Sequence, residues 1–214
     1  MPFDFLRRKK RPDSASGQAG PTGGAKTTGI AFDGLTEDWR LVGRMMVGGR
    51  LSDALNKREP IEIVDVQWGP VDGSEPMVAA PGLKTVDPYD LVVVIAGDDS
   101  LPELTEDGKA AHRVHKVSYE IALEVPPYRV IGTVYLHPGS EPDSLLSRSS
   151  EMFVPIVDAT ATMGDRRVGP ETTTAVLVNR QYIRGVEQVD LRTGERHEKL
   201  PGAPLGGTNW TDRA

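Results

Sequence analysis

Short stretches in which apolar residues alternate with polar or small ones recur along the chain, and this alternation is typical of half-buried strands. The clearest is Val117–Val125, which ends at Pro126-Pro127. The longest continuous apolar run, residues 91–96, suits a buried strand and is far below the roughly 20 residues that a membrane-spanning helix needs. The pattern therefore predicts a mainly β protein that does not span a membrane.

The chain also aligns with itself. Residues 39–47 and 128–136 each hold an aromatic residue, an arginine, two aliphatic residues, a glycine and a second apolar stretch. Three further blocks follow in the same order in both copies: 49–55 with 139–145, 61–66 with 154–159, and 86–91 with 178–183. Because order and residue chemistry agree over all four blocks, we predict two divergent copies of one module.

Each copy predicts a strand, a glycine turn, a short helix, two strands, a turn and a last strand. The expected fold class is mainly β, with two tandem strand-helix-strand-strand-strand modules, each an open barrel or half-sandwich, packed as a pseudo-two-fold pair. We expect Ser52 to cap a helix over residues 53–57, and Pro142 to stand in a first helical turn. Gly43 and Gly132 are expected where a strand needs a bulge or has no room for a side chain.

Composition divides the chain into five segments. Residues 1–11 form a basic amphipathic arm, and residues 12–30 are predicted to be a disordered linker, since up to residue 29 they include no large apolar side chain. The first β module is expected over residues 31–110 and the second over 111–200. Residues 201–214 are predicted to be a flexible tail.

The blocks GGRLSDALN and IEIVDV, at residues 48–56 and 61–66, combine a Gly-rich turn, an Arg-Leu-Ser-Asp-x-Leu-Asn run and an apolar strand that ends in Asp-Val. In these features the chain resembles a small bacterial domain of unknown function. The second copy departs from the run at three positions, where Ser140, Glu141 and Pro142 replace Arg50, Leu51 and Ser52. The resemblance implies no catalytic, cofactor-binding or metal-binding residue.

Charge is divided unevenly between the arm and the rest of the chain. The formal net charge is -6, from 25 basic and 31 acidic residues, but residues 1–11 hold five basic residues and one acidic residue. The remainder is therefore strongly acidic and repels nucleic-acid phosphates, so an anionic partner is expected to meet the arm. The absence of cysteine excludes disulfides and cysteine nucleophiles and fits a cytoplasmic location.

The arm carries the candidate contact residues, three apolar side chains followed by five cations. They are Phe3, Phe5, Leu6, Arg7, Arg8, Lys9, Lys10 and Arg11. The apolar side chains suit an anionic lipid interface while the cations stay at the headgroups, which predicts a peripheral position at the inner face of the membrane. The alternatives are a solvated tail and a peptide docked on a protein.

Three other patterns invite a chemical interpretation, and a structural one is favoured for each. Residues 20–27 resemble a phosphate-binding loop, but Ala25 stands where the motif needs a glycine before lysine, and no strand precedes it. His112 and His115 face opposite sides of a strand, which favours solvated histidines over metal ligands. The acidic residues between 98 and 107 lack the ligand alternation of a calcium loop.

Four aspartates recur at equivalent positions of the two copies. Either Asp53, Asp65, Asp143 and Asp158 form a shared binding face, or the first and third help to start helices while the other two end strands. The structural role is favoured. The sequence thus predicts no catalytic residue, no cofactor and no metal ion.

The function expected from these features is that of a non-catalytic adaptor or scaffold. Its tandem modules would bind a protein partner, and the basic arm would supply a second contact. The alternative is an enzyme or small-ligand sensor with a site between the two modules, where two sheets that meet would form a cleft. Nucleic acid is not expected as a partner, because the body is acidic.

Overall fold

A computed structural model of the chain describes residues 28–96, 116–147, 151–169, 175–193 and 203–204. We call residues 28–96 the first half, and the described residues between 116 and 193 the second half. Both halves are built almost entirely of strands.

The first half holds six strands, one α-helix and a 3-10 turn. In chain order these are β1 (Thr28–Leu35), β2 (Trp39–Val47), α1 (Leu51–Asn56), β3 (Ile61–Pro70), β4 (Val78–Ala79), β5 (Thr85–Val86), the turn Pro88–Asp90 and β6 (Val93–Ala96). Asp87 starts the turn, since its carboxylate accepts a hydrogen bond from the backbone N–H of Tyr89 at 2.9 Å.

The second half repeats this order of elements with two changes: a 3-10 turn replaces the α-helix, and the fifth strand is longer. Its elements are β7 (Val117–Val125), β8 (Tyr128–Leu136), the 3-10 turn Pro142–Leu146, β9 (Phe153–Met163), β10 (Arg166–Val168), β11 (Ala175–Asn179), the 3-10 turn Arg180–Tyr182 and β12 (Gly185–Gln188), and β13 (Ala203–Pro204) follows. Asn179 starts the last turn as Asp87 does, accepting from Gln181 N–H at 3.0 Å.

The described strands lie in one antiparallel sheet, which confirms the prediction of a mainly β protein. The hydrogen-bonded order is β12-β7-β8-β9-β11-β6-β1-β2-β3-β4, while β10 pairs with β9, β13 with β7 and β5 with β3. The second half therefore supplies one side of the sheet and the first half the other. They join where β6 pairs with β11, with Val93 opposite Val178 and Ala96 opposite Ala175.

Within each half the strands pair in the same sequence. In the first half β6, β1, β2, β3 and β5 are successive neighbours. In the second half the neighbours are β12, β7, β8, β9 and β11. In both, the last strand pairs with the first, and the third pairs with the strand before the final 3-10 turn.

The apolar core consists of two clusters, and each draws on both halves. The cluster built mainly on the second half includes Leu35 and Val92, and the cluster built on the first half includes Met152 and Phe153. A polar link reinforces this exchange, because the side-chain oxygen of Asn56 accepts a hydrogen bond from Phe153 N–H at 2.7 Å. The two halves therefore stabilise each other rather than folding around separate cores.

Gly43 and Gly132 both stand at β-bulges, as their sequence positions predict. The pairing of β2 with β3 shifts at Gly43, and that of β8 with β9 shifts at Gly132. A Cβ atom on Gly43 would lie 2.9 Å from the carbonyl oxygen of Val64, and one on Gly132 would lie 2.8 Å from that of Val157. Neither position can accept a side chain without moving the opposite strand.

Asp65 and Asp158 lie opposite these two glycines, inside strands rather than at their ends. Their φ angles are 54° and 49°, in the left-handed region. The strands continue to Pro70 and Met163, so the prediction that these aspartates end strands is wrong. The bulge demands a left-handed residue, and aspartate accepts that conformation more readily than most residues do.

Strands also occur near two of the predicted segment boundaries. β1 begins at Thr28, so residues 28–30 of the predicted linker lie in the sheet. They pair with β2 through the backbone, and this pairing needs no side chain at Gly29. In the predicted tail, Ala203–Pro204 pairs with the start of β7. An open strand edge recruits backbone whatever its side chains are, which sequence composition does not reveal.

The helix start differs as well. α1 begins at Leu51, and Arg50 rather than Ser52 occupies the cap position, without a side-chain cap hydrogen bond. Burial of Leu51 and Leu55 sets where this helix begins and ends, and packing here outweighs capping preference. Pro142 does stand in the first turn of its segment, as predicted, but the segment is a 3-10 turn.

Candidate functional site

The residues predicted to contact a membrane or an anionic partner lie outside the described part of the chain. They are Phe3, Phe5, Leu6, Arg7, Arg8, Lys9, Lys10 and Arg11. The phosphate-loop-like residues 20–27, His112, His115 and the acidic residues 98–107 also fall outside it. The role of the arm stays a prediction.

Trp39 and Trp68 form an exposed aromatic stack at one side of the sheet. Their ring centroids lie 4.6 Å apart with 23° between the planes, and the two side chains are 41% and 38% exposed. Val78, the partner of Trp68 on the short strand β4, is 52% exposed. We call Trp39, Trp68 and Val78 the Trp surface, an unusual concentration of large apolar groups in contact with solvent.

Exposed acidic residues stand in the two segments that adjoin the Trp surface. Glu37 and Asp38 are exposed in the turn that leads into β2, and the Asp38 carbonyl accepts a hydrogen bond from Val71 N–H at 2.9 Å, which holds this turn against the end of β3. Asp72 follows, and its hydrogen bonds to Ser74 lower the pKa of the carboxyl, so the group is charged at neutral pH. The guanidinium of Arg166 lies beside them, because it donates a hydrogen bond to the carbonyl of Val71 and its charge also lowers the pKa of Asp72. The segments next to the Trp surface therefore hold three carboxylates and one guanidinium.

The corresponding ladder positions of the second half are buried. Tyr128 begins β8 as Trp39 begins β2, but it is 3% exposed and its hydroxyl donates a hydrogen bond to the carbonyl of Thr36. Burial raises the pKa of Tyr128 well above its usual value. Ala161 of β9 occupies the ladder position that Trp68 has in β3, and it is buried as well. The aromatic stack therefore belongs to the first half alone.

The second half has a feature of its own, a cleft of about 520 Å³ between β8, the 3-10 turn Pro142–Leu146 and β9. Its inner wall is apolar, with buried Val134, Leu136 and Val154. Hydroxyl groups line its other side: Ser140, Ser144 and Ser147. The arrangement combines an apolar floor with hydrogen-bonding groups at the rim.

Charged groups converge on the same cleft. The cations Lys116 and Arg180 and the carboxylate of Glu151 contribute to its lining, together with the imidazole of His137. The Arg180 guanidinium donates a hydrogen bond to the carbonyl of Ser147 at 3.1 Å. Burial lowers the pKa of Arg180, and the charge of Glu151 acts in the opposite direction. The cleft can therefore offer cationic donors to an anion.

A smaller recess of about 340 Å³ lies where the halves meet and is lined by Asp33, Arg40, Ile95 and Gly169, among others. Here Arg40 binds Asp33 through two nitrogens, at 2.8 Å and 2.6 Å. This hydrogen bonding raises the pKa of Arg40. The two charges neutralise one another, so this recess attracts a charged ligand less strongly than the cleft does.

The other recurring residues have structural roles. Asp53 and Asp143 stand in the first turns of α1 and of Pro142–Leu146, as predicted. Arg129 of β8 reaches Glu187 of β12 at 3.8 Å, whereas Arg40 of β2 binds Asp33 of β1, so the two arginines contact strands that do not correspond. Within the described residues, no group of three or more histidines and carboxylates is placed to hold a metal ion.

The sequence did not reveal the Trp surface or the cleft. In the sequence, Trp39 begins the first of the aligned blocks, but the residues next to it do not indicate that β3 places Trp68 beside it. For the cleft, the aligned residues differ in chemistry at the turn, with Ser140 for Arg50 and Glu141 for Leu51, but they do not indicate which distant residues meet there.

No protein-family model, curated protein or solved structure matches the chain. Among the described residues, no helix is long and apolar enough to cross a membrane. Function must therefore be argued from the Trp surface, the cleft and the charges around them.

Proposed function

We propose that the protein is a non-catalytic adaptor that binds a protein partner through the Trp surface. The observation that carries this proposal is the exposed stack of Trp39 and Trp68. Tryptophan is enriched among the residues that dominate binding energy at protein interfaces, and a stacked pair loses little side-chain freedom on binding.

The charge around the Trp surface defines the partner's chemistry. Exposed Glu37, Asp38 and Asp72 stand in the segments next to the aromatic pair and outnumber the one guanidinium there, that of Arg166. A complementary partner therefore presents an apolar or proline-containing segment flanked by lysine or arginine. Opposite charges at the rim speed the encounter and select against acidic partners, while the central aromatic contacts supply most of the affinity.

The two halves are proposed to be divergent copies of one module. Support comes from the shared strand order, the bulges at Gly43 and Gly132, and the left-handed Asp65 and Asp158. Duplication explains how one half can keep its aromatic position buried as Tyr128 while the other exposes it. We also propose that the first copy is related to the small bacterial domain with the Gly-Gly-Arg-Leu-Ser-Asp run.

The N-terminal arm is proposed as a second contact, at an anionic membrane surface on the cytoplasmic side. Each cation near such a surface contributes about 1 kcal/mol, and one arm alone gives weak, reversible attachment. Co-sedimentation with anionic and neutral liposomes tests this, with the full chain compared to one lacking residues 1–11. Binding that needs the arm and weakens with added salt supports the membrane contact. Equal sedimentation of the two forms would refute that contact.

The test of the adaptor function is capture of partners from a cell extract by the full chain, followed by a binding titration with the purified partner. Trp39→Ala combined with Trp68→Ala should weaken binding by roughly thirtyfold or more, the loss typical of a central anchor. Leu146→Ala is the control, because Leu146 is also a large apolar residue, 44% exposed, but stands in the 3-10 turn Pro142–Leu146 of the second half. Equal affinity of all three proteins would refute the proposal.

A further inference from the structure

The cleft of the second half has the dimensions and lining of a ligand site. Its volume of about 520 Å³ lies within the range of small-molecule sites, roughly 300–1,000 Å³. We propose that the cleft binds a small organic anion, a carboxylate or phosphate group on a compact apolar body, with the acid group held by Arg180. This site is independent of the Trp surface and adds a ligand to a protein proposed above as an adaptor.

The charge of the lining favours an anion. Among the described lining residues, the cations Lys116 and Arg180 outnumber the single carboxylate, that of Glu151, and the imidazole of His137 adds a hydrogen-bonding group. This balance is opposite to that of the whole chain, which has a net charge of -6. A cationic lining in an acidic protein attracts an anionic ligand locally while the surrounding surface repels larger polyanions.

Arg180 is held in place for this role. It directly follows Asn179, whose side chain is fully buried and donates a hydrogen bond to the carbonyl of Leu91 at 2.9 Å. Its own backbone N–H donates to the carbonyl of Met152 at 2.8 Å. A planar guanidinium fixed at its base suits the two oxygens of a carboxylate or phosphate.

The remainder of the lining selects the body of the ligand. Ser140 and Ser144 supply hydroxyls beside the cations, and buried Val134, Leu136 and Val154 form the inner wall. Three other lining residues contact solvent, namely exposed Tyr135 and Pro155 and half-buried Val157. A free inorganic ion would leave these apolar groups in contact with water, whereas a ring or short alkyl chain covers them. The combination favours an amphipathic molecule over an inorganic anion.

The probe for a titration is 8-anilinonaphthalene-1-sulfonate, a fluorescent sulfonate on an aromatic body, added to the full chain. Displacement is then measured with phenyl phosphate, benzoate and phenol. Phenyl phosphate or benzoate should displace the dye at a concentration at least about tenfold lower than phenol, because phenol has the ring without the charge. The more effective of the two anions identifies the preferred acid group.

Four variants tie the binding to the cleft. Arg180→Gln should weaken dye binding about tenfold, and Glu151→Gln should tighten it, since the competing carboxylate is gone. Ser144→Phe should block the cleft without changing its charges. Arg167→Gln, which removes an exposed arginine of β10, is the control and should bind the dye as the unaltered protein does.

Circular dichroism establishes that each variant is folded. If Arg180→Gln unfolds the chain, Ser144→Phe carries the test, because Ser144 is exposed and its replacement disturbs no buried contact. Unchanged dye affinity in Ser144→Phe overturns the proposal, and so does equal displacement by phenol and the two anions. Loss of dye binding on combining Trp39→Ala with Trp68→Ala would place the dye on the Trp surface and overturn it as well.

Discussion

The two segments that follow the second strand of each half occupy the same place in the sheet and fill it differently. In the first half, α1 buries Leu51 and Leu55. In the second, the 3-10 turn buries Pro142 and Leu145, and exposed Glu141 stands at the aligned position of Leu51. The second half therefore has the counterpart of Leu55, as Leu145, but no leucine at the position of Leu51. The same strand frame encloses a packed helix in one half and borders an open cleft in the other.

A second contrast concerns the aromatic residue that opens the second strand. Tyr128 is buried against the Thr36 turn, whereas Trp39 stacks on Trp68 in solvent. The half with the filled turn thus carries the exposed aromatic surface, and the half with the buried aromatic carries the cleft. The two halves therefore expose apolar groups at different places in similarly ordered strands.

We expect the largest effects on stability at Leu55 of α1 and at Leu145, the aligned leucine of the 3-10 turn Pro142–Leu146. Leu55→Ala and Leu145→Ala each remove a side chain with no exposed surface and should lower the free energy of unfolding by about 3–4 kcal/mol. Urea unfolding measures both. Leu146→Ala is the control, since Leu146 is 44% exposed and its loss should cost little. If Leu145→Ala is as mild as the control, the second turn is not packed as the first is.

The residues that start the two last turns give the next test. Asn179 is fully buried and donates to the Leu91 carbonyl, whereas Asp87 is exposed. Asn179→Asp should destabilise the fold by about 3 kcal/mol at neutral pH, because a buried carboxylate cannot donate that bond. Asp87→Asn should stay within about 0.5 kcal/mol, since asparagine accepts the same hydrogen bond.

The effect of Asn179→Asp should depend on pH. Burial raises the pKa of a carboxyl introduced there above the value of about 3.9 that it has in the unfolded chain. Its penalty is therefore full above the raised pKa and fades as the pH falls toward the unfolded value. Urea midpoints of this variant and the unaltered protein should converge on acidification, and a pH-independent gap would contradict the burial of Asn179.

The bulge glycines should show smaller and unequal effects. Gly43→Val and Gly132→Val should each destabilise by about 1–3 kcal/mol, with Gly132→Val the worse. A Cβ on Gly132 meets three atoms within 2.9 Å, whereas one on Gly43 meets a single atom at that distance. Gly82→Val serves as control, because no atom lies within 4 Å of its added Cβ. Thermal stability unchanged in both variants would rule out the shared bulge.

The ion pairs of the two repeated arginines should show the smallest effects. Arg40 binds Asp33 through two nitrogens in a partly buried setting, while Arg129 and Glu187 are 3.8 Å apart and more exposed. Double-mutant cycles to alanine should give about 1 kcal/mol for the first pair and less than about 0.5 kcal/mol for the second. The reverse order would mean that the two arginines do not brace the sheet in the way that their contacts indicate.

Local patterns were enough to predict several features. The strand over residues 117–125 and the bulges at Gly43 and Gly132 follow from residue periods and conformational preferences that act over a few positions. The position of Pro142 is also a local effect, because the fixed φ angle of proline suits a first turn in any context. These predictions are confirmed in the described residues.

Features that depend on distant pairing were missed. β1 begins in a glycine-containing segment whose strand structure comes from its partner β2, and Tyr128 is buried by the turn at Thr36, 92 positions away. The cleft likewise needs Lys116, Ser144 and Arg180 to be brought together by three separate elements. No local pattern carries that information, so the sites could not be located before the sheet order was known.

The most direct test of the division between the halves is one calorimetric titration series with the captured partner. It compares the unaltered chain, the combined Trp39→Ala and Trp68→Ala variant, and Ser144→Phe. Our account predicts that the tryptophan variant loses roughly thirtyfold or more in affinity while Ser144→Phe binds the partner normally. Equal loss in both variants, or loss in Ser144→Phe alone, would contradict the assignment of partner binding to the first half.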